Sequence, residues 1–259
     1  MITFLFILLI GFISLYLINS KTDIAGFFYG RMENNKEPST IVLTCSLVTT
    51  WIFSRSLLTA AILAYYYGLP GALAYTAYYL SFLTGYLFIN NLRTKHNAQS
   101  VLEFFTCMYG NVGKYIFSFL IIIRLISEIF ANLIVVGLIF GKQGTLDYNL
   151  AIVSIMLIAL SYSFLGGFRN SIKTDFIQML IFLALMFFMF ISFLFLNIQV
   201  NKYLFLDKVY DLSNPAYALI LVALLQIWSY PIHDPVMMDR GFICSINKTK
   251  KSYIYAFLI

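Results

Sequence analysis

Few residues in this chain could do chemistry, and their densest group lies where lipid tolerates polar groups least. The stretch Thr49, Thr50, Trp51, Ile52, Phe53, Ser54, Arg55, Ser56 sets four hydroxyls and a guanidinium inside an apolar run over 40–66. Polar groups at that depth face a bundle interior or water. If the helix is interrupted there, its freed carbonyls and the side-chain oxygens can coordinate a hard cation such as Na+. If it is regular, the hydroxyls bond back to carbonyls one turn earlier. Arg55 also reads in two ways: as a planar clamp for a solute carboxylate, or as half of an internal ion pair. Glu128 is the acidic residue set deepest in an apolar run, but Arg124 precedes it by one helical turn, so those two are expected to pair. Arg55 is then left without a buried acidic partner. A second group, Gln226, Trp228, Tyr230, His233 and Asp234, is punctuated by Pro231 and Pro235 near a helix end. There Trp and Tyr also serve as interfacial anchors. His233, Asp234 and Asp239 are types that bind metals or exchange protons, yet a Pro-bounded loop with few other ligands argues against such a centre. Asp175, opening another run, reads as an N-cap neighbour favoured by the helix dipole.

Helices in a membrane must position these residues. Of the 259 residues, 61% are hydrophobic and only 11% charged, whereas a soluble domain carries about a quarter charged. Seven apolar segments, at 2–18, 40–66, 70–90, 113–140, 148–166, 174–197 and 216–232, meet or approach the length of about 20 residues that a spanning helix needs. The first lacks the basic leader and small-residue cleavage site of a signal peptide and reads as a helix. An eighth begins at Tyr253 and runs to the last residue. The three cysteines, 45, 107 and 244, have no regular spacing and read as packing residues. Alternate loops are unequal in Lys and Arg, twelve in loops one, three, five and seven against three in the others. Cytoplasmic loops retain positive charge, so the N-terminus is expected outside, in a bacterial-type inner (plasma) membrane. The net charge of +6 is thereby explained without nucleic acid, since the basic residues form no patch or arm.

The motifs, taken in order, resemble the sodium:solute symporter family of proline, pantothenate and sugar symporters. TDIAGFFYGR (22–31) precedes SLVTTWIFSRSLLTAAILAYYYGLPGALAY (46–75); LGGFRNSIKTDFIQMLIF (165–182) and WSYPIHDPVMMDRGF (228–242) follow. The resemblance implies an all-α, leucine-transporter-like inverted-repeat bundle in one transmembrane domain. In it, 1–20 is an extra N-terminal helix, 39–197 a first five-helix repeat, and 216–259 the start of a second, incomplete one. It further implies sodium-coupled symport of a small organic solute, with Na+ as coupling ion and no other cofactor. Thr49 and Ile52 would offer sodium-site carbonyls and Ser54 an added oxygen. The family's proline symporters carry an Asp where Trp51 stands, so no carboxylate is offered at that place. Gln226, Trp228 and Tyr230 would line the solute cavity beside Arg55. A partial or split carrier is expected, completed by a second polypeptide or a homodimer. A membrane sensor or interaction module, or an inactive truncated product, are the alternatives; an enzyme is not expected.

Overall fold

The computed structural model describes residues 22–195 and 213–259, with Gly11 and Tyr16 ahead of them. Segment 2–18, expected as the first helix, lies outside the described residues apart from those two, as do Lys202 and Lys208. Among the described residues there are only helices, loops and turns. In chain order they are α1 (Ile24–Tyr29), α2 (Thr40–Thr49), α3 (Ser54–Ala77), α4 (Ser81–Lys95), α5 (Val101–Phe140), α6 (Leu146–Phe195), α7 (Pro215–Gln226), α8 (Tyr230–His233), α9 (Pro235–Arg240) and α10 (Ile246–Leu258).

Local chemistry sets the starts. Ser39 accepts from the Val42 N–H at 3.3 Å and opens α2. Ser100 accepts from the Glu103 N–H at 3.0 Å while Glu103 accepts from the Gln99 N–H at 2.6 Å, a reciprocal cap on α5. Asn214 caps α7 ahead of Pro215, whose missing N–H costs nothing at a first helical position.

Among the described residues three helical stretches, Ser54–Lys95, Val101–Phe140 and Ser163–Phe195, are long and apolar enough to cross a membrane, and Thr40–Thr49, Leu146–Ser161 and Pro215–Gln226 are shorter apolar helices. Sharp bends divide the long ones. Gly68 (φ +66°), Gly110 (φ +65°) and Gly167 (φ +56°) adopt left-handed backbone, which glycine enters without steric cost. A side chain on Gly71 would run into the Leu63 carbonyl. Residues eight apart in a straight helix stand about 12 Å apart along its axis, so the chain folds back sharply at Gly68. The bends at Gly68 and Gly167 lie at or close to the ends expected at residues 66 and 166. The bend at Gly110 is new: residues 101–109, expected as loop, are helical.

The loops gather in two groups. Arg169 bonds Asp23 and the Arg31 carbonyl, Lys173 meets Glu33 at 3.0 Å, Lys248 meets Glu37 at 3.1 Å, and Arg93 donates to the Gly241 carbonyl at 2.8 Å. Loops one, three, five and seven therefore share one side. Asn214 donates to the Tyr67 carbonyl at 3.1 Å, joining loops two and six elsewhere. Between these groups lies a core of Leu43, Leu47, Phe82, Ile89, Met237, Met238 and Tyr253. Phe187, Phe188, Met189 and Phe190 point outward from α6, a surface suited to lipid and costly in water. Cys45 and Cys244 pack inside as expected, but Cys107 is exposed, because its helical leg lies at the rim of the bundle.

Candidate solute and ion site

The centre of the fold is made by two interruptions that face each other. The chain leaves helical geometry after Thr49, turns through Thr50 and Trp51, extends at Phe53 (ψ 158°) and re-enters a helix at Ser54. The break thus falls inside the hydroxyl-rich stretch. The expected helix over 216–232 is interrupted as well: α7 ends at Gln226, α8 is one turn long, and Asp234 is extended (ψ 93°) before α9. Trp51 from the first break lies 4.8 Å, centroid to centroid, from Tyr230 in the second.

Several freed backbone groups are satisfied from neighbouring helices. Thr84 of α4 donates to the Ile227 carbonyl at 2.6 Å. The Ser56 hydroxyl donates to the Trp51 carbonyl at 3.0 Å and accepts from the Phe53 N–H at 2.8 Å. The Thr49 carbonyl accepts from the Ile52 N–H at 3.3 Å, whereas the Ile52 carbonyl has no hydrogen-bond partner among the described residues. The hydroxyls are largely committed: Thr49 donates to the carbonyls of Cys45 (2.8 Å) and Asp175 (3.0 Å), and Ser54 to Asn132 on α5 (3.1 Å to its side chain). Ile52 is thus the freest oxygen of the three candidates.

Beside the first break lies a cavity of about 620 Å³. Of the expected solute contacts, Arg55, Gln226 and Tyr230 line it. Trp228 does not: it is 56% exposed and points out of the bundle, a correction to its expected place. Residues 227–229 form the turn between α7 and α8, and Trp228 on that turn is carried outward while Gln226 and Tyr230 on either side stay at the cavity. Gln226 accepts from the Tyr78 hydroxyl at 2.5 Å. Arg55 forms no side-chain hydrogen bond or ion pair among the described residues, while its backbone N–H donates to the Asn132 side chain at 3.1 Å. The Trp51 indole N–H is buried and has no partner among the described residues.

Arg124 and Glu128 approach to 3.5 Å, as their spacing predicted, but the nearer partner of Arg124 is Asp234, at 3.2 Å. Asp234 also caps α9 through the Met237 N–H at 3.0 Å. The Arg124 guanidinium sits 4.7 Å over the Tyr230 ring, a cation–π contact. One residue therefore ties α5 to both ends of the second break. His233 lines the cavity with Nδ1 2.8 Å from the Ser229 carbonyl, and no cluster of metal-ligand residues occurs among the described residues.

Asp175 differs most from expectation. It is not beside a cap but inside α6, because that helix resumes at the Gly167 bend and not near residue 174. Buried there, its carboxylate meets Arg240 at 2.7 Å and the Ser46 hydroxyl at 2.5 Å, and Arg240 also donates to Ser46 at 2.7 Å. Asn132 and Tyr78 were missed in the sequence. Asn132 stands one turn after Glu128 in an otherwise apolar run, a signal that marks it in retrospect.

Opposed helix breaks beside a cavity, in an all-helical bundle with an apolar outer face and helices long and apolar enough to cross a membrane, describe an α-helical membrane protein. Residues 34–224 match the sodium:solute symporter family, and the chain belongs to it. That family is one of membrane transporters and not of enzymes. No curated protein and no solved structure matches the chain.

Proposed function

We propose that the chain serves sodium-coupled transport of a small organic solute, with the 620 Å³ cavity as the solute site and Arg55 as the clamp for a carboxylate. The carrying observation is the unpaired guanidinium of Arg55 at the wall of a cavity beside an interrupted helix. A charge in the membrane interior costs several kcal/mol unless paired or hydrated; Arg55 is exposed at the cavity wall, where water carries its charge in the absence of solute and a carboxylate can take that place. In this reading the Na+ site lies at the first break, with Ile52 and Thr49 giving carbonyl oxygens and Ser54 in support. Because the Thr49 and Ser54 hydroxyls are committed elsewhere, too few free oxygens remain to replace the hydration shell of a hard cation. The shell is then completed from outside the described residues, by a second polypeptide or a second copy acting on an inverted-repeat, seven-span frame. The basic loops one, three, five and seven are placed in the cytoplasm of a bacterial-type inner membrane, with the N-terminus outside. The mutual contacts of those loops support their lying on one side, and their excess of Lys and Arg is the ground for calling that side cytoplasmic.

The test is uptake of radiolabelled carboxylate solutes into liposomes bearing this chain, under an inward Na+ gradient or an equal K+ gradient. No gradient-driven uptake by the chain alone is expected, together with carboxylate binding that Arg55→Gln abolishes. Na+-driven uptake by the chain alone would show that the ion shell needs no second polypeptide. Carboxylate binding indifferent to Arg55→Gln would remove the clamp.

A further inference from the structure

The cavity carries a second charged pole. Glu128 lines the same wall space as Arg55, and the only hydrogen-bond or ion-pair partner of its carboxylate among the described residues is Arg124, at a long 3.5 Å through Oε2. Arg124 is drawn away at the same time. Asp234 holds it more closely, at 3.2 Å, and the Tyr230 ring lies under its guanidinium. Asp234 is 6% exposed, so Arg124 is the cation that offsets a buried carboxylate. Glu128 Oε1 is left without a partner. One acidic and two basic side chains, Glu128, Arg55 and Arg124, thus line one cavity; Arg124 is satisfied by Asp234 outside the lining, which leaves two under-satisfied groups of opposite sign, Arg55 and Glu128.

Their surroundings differ as their charges do. Arg55 sits in the first turn of α3, where the positive end of the helix dipole adds to its pull on an anion. Glu128 shares the cavity with the rings of Tyr75, Tyr78, Trp51 and Tyr230, whose faces attract a cation. A monocarboxylate would satisfy Arg55 and set a second negative charge beside the half-buried Glu128. A sugar would satisfy neither. Accepting the cavity as the solute site, we infer that it takes a zwitterion: a carboxylate on Arg55 and an ammonium or quaternary ammonium on Glu128, with the apolar body against the rings.

The experiment uses the full chain in nanodiscs with Trp228→Phe, which leaves Trp51 at the cavity wall as the single tryptophan and hence a fluorescence reporter of occupancy. Three matched probes are titrated: L-leucine, 4-methylpentanoate and isopentylamine, alike in their carbon skeleton but carrying both charges, the carboxylate alone, or the ammonium alone. L-Leucine is expected to bind at least about tenfold more tightly than either single-charge probe. Glu128→Gln should bring leucine down to the affinity of 4-methylpentanoate without weakening 4-methylpentanoate itself. Arg55→Gln should weaken leucine and 4-methylpentanoate alike. Binding of 4-methylpentanoate as tight as that of leucine, still dependent on Arg55, overturns the zwitterion while leaving the carboxylate site standing. Loss of Arg55 dependence for both probes overturns the carboxylate site and the zwitterion together. Should Glu128→Gln fail to fold, the comparison of the three probes on the unaltered chain decides alone, and failure of leucine to bind overturns the inference.

Discussion

Replacing Arg240 by Met would remove the cation from a buried network and keep the volume of its side chain. Arg240 is 3% exposed and Asp175 9%, so solvent cannot take over the orphaned charge. Their contact is 2.7 Å, and the Ser46 hydroxyl bridges both. Deleting one member of such a pair costs about 3–5 kcal/mol, because the other stays buried and charged, whereas deleting both is close to neutral. Arg240→Met should therefore lower the folding equilibrium by at least about 100-fold, and Asp175→Asn combined with Arg240→Met should recover most of that loss. The buried cysteines supply the assay: Cys45 and Cys244 are shielded in the fold and react with a thiol probe as the bundle opens across an SDS titration. The network also holds α6 against α2, since the Asp175 carbonyl accepts from Thr49 at 3.0 Å beside the first break. A single variant less than about 1 kcal/mol weaker than the parent, or a double variant as weak as the single, would refute the reasoning.

Three further outcomes are expected. Ala at Gly167 should cost more than Ala at Gly110: both have positive φ, but a Cβ at Gly167 meets the Phe27 backbone and ring and one at Gly110 meets nothing. Thermal unfolding of the two variants measures the difference, and equal losses would show that φ alone sets the penalty. In intact cells a membrane-impermeant maleimide should leave Cys107 unmodified from outside and label it in inverted vesicles, as should Asn247→Cys; external labelling of either would reverse the topology. Burial, with Glu37 nearby, pushes the Cys244 thiol up from 9.0 to about 11. The folded state resists its ionisation, so stability should be level below pH 9 and fall as pH rises toward 11, and Cys244→Ser should flatten that fall in the SDS titration.

Much of the site was legible because membranes make polar residues conspicuous. The hydroxyls from Thr49 to Ser56 stood out in an apolar run, and the chain is broken there. The ends of the apolar segments at 66 and 166 fell close to the bends at Gly68 and Gly167, where only glycine enters the backbone region freely. What escaped was long-range. Asp234 lies 110 residues from Arg124, and no local pattern joins them. Asp175 was misplaced because α6 resumes seven residues earlier than its apolar run, which turns a surface carboxylate into a buried one. Trp228 was grouped with Gln226 and Tyr230 by nearness in sequence, when the turn at 227–229 between α7 and α8 carries it outward. Charge counting grouped the odd loops, whose contacts the fold then displayed.

The clasp of Arg169 on the first loop also bears on how the chain is made. Arg169 is 5% exposed at its side chain and is held by Asp23 and by the carbonyls of Arg31 and Met32. Its carboxylate partner lies 146 residues earlier. At a ribosomal pace of about 5–20 residues per second, Asp23 is synthesised roughly 7–30 s before the group that fastens it. During that interval α2 to α5 must settle in the bilayer with α1 still unlatched, so α1 is docked late by a residue at the bend of α6. Assembly then runs from α2–α5 outward, and an early pause in translation would be tolerated better than one between residues 165 and 180.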